Sequence, residues 1–319
     1  MKTLVTGAGG FVGGALLRRL VETRAAGDEI VATDLRFPQM LPGVDYVAGE
    51  IDDPRLIADL VGHRPHRIVH LATVAGVLSA TDFPLGKRIN LDATLALLDA
   101  IRASGHRPRF IYSSSVGVFG PPLPDSVDDD TLPVPGNSYG AYKLACELLI
   151  ADYSRAGYVE GLSLRFPGIL ARPEGSKTML SAFMSNVFYA ARRGEAFSLP
   201  LDPDDGSWLM SLRCCVTNVI HALQMRAEAL PQRRYWNLPA LRVTMRELVA
   251  ALAEVYGPHV RDLVGYEPVE QARKMFSQVP LRTPGAERLG FVGDRSATDL
   301  VRSSIAGNPE LAVIPPKPG

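Results

Sequence analysis

The segment "TLVTGAGGFVGGALLRRLVETRA" (3–25) constrains the fold more than any other stretch. "TLVTG" (3–7) is a short β-branched run that reads as a strand, and "FVGGALLRRLVETRA" (11–25) spaces its apolar residues as a helix does. Gly7, Gly10 and Gly13 fill the connection at intervals of three. Glycine lets backbone approach a pyrophosphate, and a helix N-terminus offers unbonded N–H groups and the positive end of a dipole. Such a spacing is weak in isolation, but between a strand and a helix it has the context the mechanism requires. An acid then follows, because Asp34 ends the strand "EIVATD" (29–34). A carboxylate there accepts both hydroxyls of an adenosine ribose and repels a 2′-phosphate, which points to NAD over NADP. Arg36 is the neighbour that argues the other way. The bland alternative is a tight turn followed by a solvated Asp.

The alternation continues through the first half. Strands are expected at 29–34, 45–51, 67–73, 109–115 and 161–166, and helices at 54–62, at 86–104 and in the stretch "GNSYGAYKLACELL" (136–149). Strands alternating with helices predict an α/β fold, a Rossmann-type doubly wound parallel sheet, and the scarcity of polar residues in those strands suits burial on both faces. The pattern loosens after Pro167. A helix is expected at 177–194, a loop at 202–211, a short strand at 234–240 and a helix at 244–257 opened by a Thr244–Glu247 capping box. The reading is a dinucleotide-binding domain over 1–166, with a return of the chain near 212–240, and a smaller mixed substrate domain over 167–319.

The chain has 319 residues with equal numbers of acidic and basic side chains, so neither a nucleic-acid stripe nor a polybasic membrane patch is expected. No apolar run reaches the length of a membrane span, and the N-terminus lacks a signal-peptide core, so a cytoplasmic protein is expected. Cys146, Cys214 and Cys215 have no disulfide framework spacing and read as small buried hydrophobes. His63, His66 and His70 are spaced like metal ligands, yet a Pro interrupts them and His70 falls in an expected buried strand. They read as a loop pair and a satisfied strand histidine, and no metal site is expected. The acidic loop 125–130 lacks the glycine and terminal Glu of a calcium loop.

Tyr139 and Lys143 stand four apart at the head of the 136–149 helix, hence on one face. An ammonium beside a phenol favours the phenolate, so the pair could be a tuned acid/base; alone it could equally be the tip of a surface helix. Together the glycine loop, Asp34 and this pair resemble the extended short-chain dehydrogenase/reductase family, also described as the NAD-dependent epimerase/dehydratases. "FIYSSSVGVFG" (110–120) looks like that family's strand with the catalytic Ser, matched by Ser115, with Ser114 a register competitor. "RINLDATLALLDA" (88–100) resembles its helix with a supporting Asn, here Asn90. "SYGAYKLACELLIADYSRAGYVEG", "WLMS" and "WNLPALRVTMRELVAAL" resemble, more narrowly, a branch that oxidises D-erythronate, a short sugar acid, at C2 with NAD. Residues 171–180 and 212–215 depart from that branch's pattern.

The resemblance implies NAD as cofactor, held by Gly7, Gly10, Phe11, Val12, Gly13, Asp34, Glu50, Ile51, Leu71, Ala72, Tyr139, Lys143 and Phe166. It implies Tyr139 as acid/base, Lys143 as the charge that tunes it, Ser115 as the donor to the reacting oxygen, and Asn90 as the residue ordering Lys143 and a water; for Asn90 a plain helix-start polar residue is as good a reading. Thr73 and Ser115 are candidates for substrate contact. A substrate carboxylate needs a cation, for which Arg172, Lys177 and Arg213 are candidates, and Trp208 is a candidate pocket floor that could equally be packing. A small-molecule substrate and a homodimer through helices 86–104 and 139–153 are expected. The alternative function is a nucleotide-sugar epimerase or dehydratase with tightly held NAD. A non-catalytic NAD-binding protein would have no need of a Ser/Tyr/Lys set.

Overall fold

The computed structural model describes residues 1–74, 76–174 and 180–312. Its strands are β1 (Lys2–Thr6), β2 (Glu29–Asp34), β3 (Asp45–Ala48), β4 (Arg67–His70), β5 (Arg109–Ser115), β6 (Glu160–Phe166), β7 (Gly168–Ile169), β8 (Phe197–Leu199), β9 (Gly206–Met210), β10 (Tyr235–Asn237), β11 (Leu241–Thr244) and β12 (Val264–Tyr266). The chain forms two compact units. The first takes Met1–Gly120, Leu132–Phe166 and Val216–Leu238, and the second takes Pro121–Thr131, Pro167–Cys215 and the chain from Pro239 onward.

In the first unit seven parallel strands lie in the order β10-β6-β5-β4-β1-β2-β3. The strand order reverses between β1 and β4, and in doubly wound sheets ligands bind at the carboxyl ends of the strands beside such a switch. Leu4, Val31, Ile68, Phe110 and Tyr112 pack with Leu60, Leu97, Ile101, Cys146 and Ile150 of the flanking helices, which is why these strands show no polar alternation. The register levels the strand ends: Thr6 lies opposite Thr33 and His70, and Ser115 opposite Phe166.

The helix expected as one piece over 86–104 is broken. A short helix Phe83–Lys87 leads into a π turn, Arg88–Asp92, and only then into the α-helix Ala93–Ser104. π turns widen a helix by one residue and concentrate at functional positions; this one carries Asn90.

The second unit holds a three-stranded sheet, β11-β9-β7, and a two-stranded pair, β12-β8. Its core joins Phe188, Leu209, Leu248, Leu252, Val260 and Leu300. Residues 202–211 correct an expectation. Only the first part is a turn, closed by the Asp205 N–H on the Asp202 carbonyl, and Gly206–Met210 is the buried central strand β9. The Pro/Asp cluster masked the apolar run behind it. Of residues 234–240, read as one strand, only Tyr235–Asn237 form a strand, β10 of the first unit; β11 of the second unit begins after them, at Leu241. The helix Met245–Tyr256 starts at Thr244 with both bonds of the capping box. The expected helix at 177–194 is a turn at Leu180–Ala182 followed by the helix Phe183–Arg193; 177–179 lie outside the described residues. No helix among the described residues is long and apolar enough to cross a membrane.

Candidate active site

The glycine loop leaves β1 at Gly7, whose φ of +67° favours glycine. A Cβ there would lie 2.5 Å from the Ala72 nitrogen and 2.6 Å from the Leu71 carbonyl carbon, so the chain after β4 closes directly on the loop. Gly9, which the spacing argument passed over, is as tightly constrained. A Cβ at Gly9 would sit 2.0 Å from the Arg36 oxygen, and its N–H donates to Asp34 Oδ2 at 2.9 Å. The doubled glycine of "GAGG" was the signal. Asp34 Oδ1 accepts the Leu35 N–H at 2.7 Å. The helix Phe11–Thr23, which contains Val12 and Gly13, begins at Gly10 with no side-chain cap. Exposed Glu50 and buried Ile51 follow β3, and Phe166 ends β6. A loop with no room for a Cβ, a helix N-terminus without a side-chain cap and a carboxylate at the end of β2 fit a dinucleotide whose ribose carries no 2′-phosphate.

Tyr139 stands in the first turn of the helix Ser138–Arg155, whose start is fixed by Asn137 Oδ1 accepting the Gly140 N–H at 2.9 Å. Its ring packs beside Gly76 and Gly117: a Cβ at either would lie 3.8 or 3.7 Å from Tyr139 Cδ1. The same point beside Gly117 is 3.2 Å from Ser115 Oγ, so the hydroxyl and the ring are neighbours. Ser115 Oγ accepts the Gly117 N–H at 3.0 Å, which caps the turn Val116–Val118. Ser114, the competing register, is buried and donates to Glu147 Oε1.

Lys143 is 1% exposed. Its Nζ donates to the Ser113 carbonyl at 2.7 Å and lies 4.7 Å from the centre of the Tyr112 ring and 5.6 Å from that of Tyr139. Burial pushes its ammonium down to about 8, while Cys146 and Glu147 oppose that shift. His70 is buried behind it, with Nδ1 bonded to Thr6 Oγ1 at 2.7 Å and Nε2 to Thr94 Oγ1 at 3.0 Å; burial first, then Lys143, lower it to about 3, so it is neutral. Among the described residues no group of His, Cys, Asp and Glu is arranged to hold a metal.

The Asn90 side chain ties together the residues that follow β4. Its Oδ1 accepts the Thr73 hydroxyl and the Val74 N–H, both at 2.8 Å, and its Nδ2 donates to the Val74 carbonyl at 3.0 Å and Ser79 Oγ at 3.3 Å. The amide is fully used in fixing the chain after β4, and the Asn90 carbonyl accepts Cys146 Sγ at 3.3 Å. Thr73 is thereby tied to Asn90.

The remaining candidates belong to the second unit. Arg172 follows Ala171, which has φ +58°; its N–H donates to Ser185 Oγ at 3.2 Å and its carbonyl accepts the Tyr189 hydroxyl at 3.1 Å. Arg213 is exposed on the helix Leu212–Gln224. Trp208 is 1% exposed, and its indole N–H donates to the Val279 carbonyl at 2.7 Å, which accords with the packing alternative. Lys177 lies outside the described residues.

Residues 3–207 match the NAD dependent epimerase/dehydratase family. The D-erythronate dehydrogenase of Cupriavidus necator is 36% identical over 316 residues, 95% of this chain and 97% of that protein. The D-erythronate dehydrogenase of Haemophilus influenzae is 30% identical over 311 residues, 96% of this chain and 99% of that one. A solved structure described as a nucleoside-diphosphate-sugar epimerase from Agrobacterium tumefaciens superposes with a TM-score of 0.92 at 32% identity, covering 98% of this chain and 96% of its own. A match that runs through the glycine loop and the Tyr139–Lys143 helix, joined by relatives that align almost end to end, gives one answer: the chain belongs to the NAD dependent epimerase/dehydratase family.

Proposed function

We propose that the protein oxidises a short sugar acid, D-erythronate or a close analogue, at C2, and that Ser115, Tyr139 and Lys143 carry the reaction. It is an NAD-dependent oxidoreductase by its family, and two relatives that span nearly its whole length are sugar-acid dehydrogenases. The observation that carries the mechanism is the meeting of Ser115 Oγ and the Tyr139 ring beside Gly117, with the Lys143 ammonium behind them. NAD, when bound, accepts the hydride. Ser115 donates to the substrate C2 oxygen and holds that carbon in place. Tyr139, as phenolate, takes the hydroxyl proton while the C2–H electron pair leaves as hydride, so the product is a 2-oxo acid and the proton is then released to solvent. A tyrosine of ordinary pKa, about 10, is a poor base at neutral pH. The Lys143 cation favours its ionised form.

NADH formation by purified protein with a panel of four- to six-carbon aldonic acids tests the proposal, with NAD and NADP run side by side. Turnover on a four-carbon acid is expected, with NAD preferred over NADP at least about tenfold, because Asp34 meets a 2′-phosphate with like charge. The epimerase reading is favoured by the Agrobacterium tumefaciens structure. It predicts no net NADH from any acid and conversion of a nucleotide sugar without change in the NAD pool. We also propose the homodimer, supported by Leu148, an apolar side chain 59% exposed on the helix Ser138–Arg155. Light scattering would give twice the 34.5 kDa chain mass, and a single chain mass would refute it.

A further inference from the structure

One buried ion pair lies directly beneath this centre. Glu147 is 0% exposed and Arg165 2%. The guanidinium grips the carboxylate with two bonds, Nε to Oε1 at 2.9 Å and the terminal nitrogen to Oε2 at 2.7 Å. Ser114 donates to the same Oε1. The chain goes to some length to hold Arg165: its guanidinium sits 5.1 Å from the centre of the Phe119 ring and 4.9 Å from that of Tyr235, and Asn237 Oδ1 accepts from it at 3.4 Å. Four elements thus converge on one ion pair: the Tyr139 helix, β5, β6 and β10.

Stability alone is a poor reason for such a pair. Replacing a buried ion pair by apolar residues of similar size is often neutral or stabilising, so its position is the informative fact. Glu147 is four residues beyond Lys143 and eight beyond Tyr139, on one helix, and side chains at that spacing share a face. Ser114 and Arg165 are register partners in adjacent strands, and Ser115 is the next residue. We propose that Glu147, clamped by Arg165, is a positioning residue for the reaction: through Ser114 it fixes the turn that presents Ser115, and it holds a negative charge one helical turn from the Lys143 ammonium. This inference rests on the Ser/Tyr/Lys reading. The other groups facing Lys143 are Tyr139 and Cys146 on its own helix, Tyr112 and the Ser113 carbonyl on β5, and His70 on β4. Among the described residues, Glu147 is the carboxylate of this set.

Loss of that carboxylate makes Lys143 easier to deprotonate. The alkaline limb of the pH–rate profile, which marks loss of the ammonium, then moves to lower pH. Glu147→Gln alone strands the Arg165 cation and can fail to fold, so the decisive variant is Glu147→Gln with Arg165→Met, checked by its thermal transition. Its kcat is expected to fall about ten- to a hundredfold with KM for NAD nearly unchanged, and its alkaline limb to shift acidward by about half to one unit. Glu147→Asp keeps the charge and shortens the reach, so its limb stays in place while kcat falls. A folded double variant with native kcat and an unmoved limb would overturn the inference. A substrate-free readout separates this from the functional reading: the near-ultraviolet phenolate difference between protein with Tyr139 and its Tyr139→Phe counterpart, titrated with pH in native and double-variant backgrounds. An upward shift of the Tyr139 transition in the double variant supports the positioning role even if no acid is turned over, and an unmoved transition refutes it.

Discussion

Tyr139→Phe is expected to lose NADH formation by about a hundred- to ten-thousandfold, the range by which general acid–base groups accelerate proton transfer. The substitution removes one oxygen. The ring that packs beside Gly76 and Gly117 is retained, and so is the Asn137 cap that starts its helix. Lys143 keeps its bond to the Ser113 carbonyl, so the ammonium does not collapse into the vacated space. NAD affinity, followed by fluorescence titration, is therefore expected to change by less than about tenfold, equivalent to 1.4 kcal/mol. The split matters: chemistry lost with binding retained identifies a group that acts only in the reaction. A variant within tenfold of native turnover would remove Tyr139 from the proposed role and leave the acid/base unassigned.

Gly7→Ala is expected to damage both the cofactor site and the fold. An alanine at φ +67° carries about 1–3 kcal/mol of backbone strain. Its methyl would also press on the Ala72 nitrogen at 2.5 Å and the Leu71 carbonyl carbon at 2.6 Å, main-chain atoms that no rotamer change can move. Overpacking of that kind adds about 1–3 kcal/mol. A thermal midpoint lowered by roughly 5–10 °C and NAD affinity weakened at least about tenfold are the expected results. Gly62→Ala is the matched control. It ends the helix Pro54–Gly62, and beyond its chain neighbours and the helix's own backbone nothing lies within 4 Å of the position its methyl would take. Equal behaviour of the two variants would mean that the glycine loop tolerates a side chain, and the dinucleotide argument from Gly7 would fail.

The parts of the fold that were legible in the sequence share one property: their structure is decided locally. β2 and β5 fall at 29–34 and 109–115 as expected, because apolar runs buried on both faces end at polar or turn-forming residues. The Thr244–Glu247 box and the Tyr139–Lys143 spacing were readable for the same reason, being contacts within one turn of helix. What stayed hidden depends on partners distant in the chain. β9 becomes a strand because β7 and β11 flank it, and no local signal outweighs the Pro/Asp cluster before it. Trp208 is committed to Val279 across 71 residues. Asn90 is committed to Thr73, Val74 and Ser79, partners 11 to 17 residues away in the chain. The Glu147–Arg165 pair joins a helix to a strand, and its one local hint was a carboxylate four residues past Lys143.

β10 has a consequence for how this protein can be made and divided. Its three residues add the last strand beside β6, yet they are translated only after the whole of Pro167–Cys215. Until then β6 is a bare edge, the kind of surface that invites pairing between chains, and Arg165 lacks Tyr235 and Asn237. The first unit therefore cannot finish folding as it leaves the ribosome, in contrast to domains that close in order of synthesis. Neither half is a contiguous stretch of gene. A recombination event that exchanged only the segment after Phe166 would replace β10 as well, so the second unit cannot be swapped as a simple tail without taking a strand of the first.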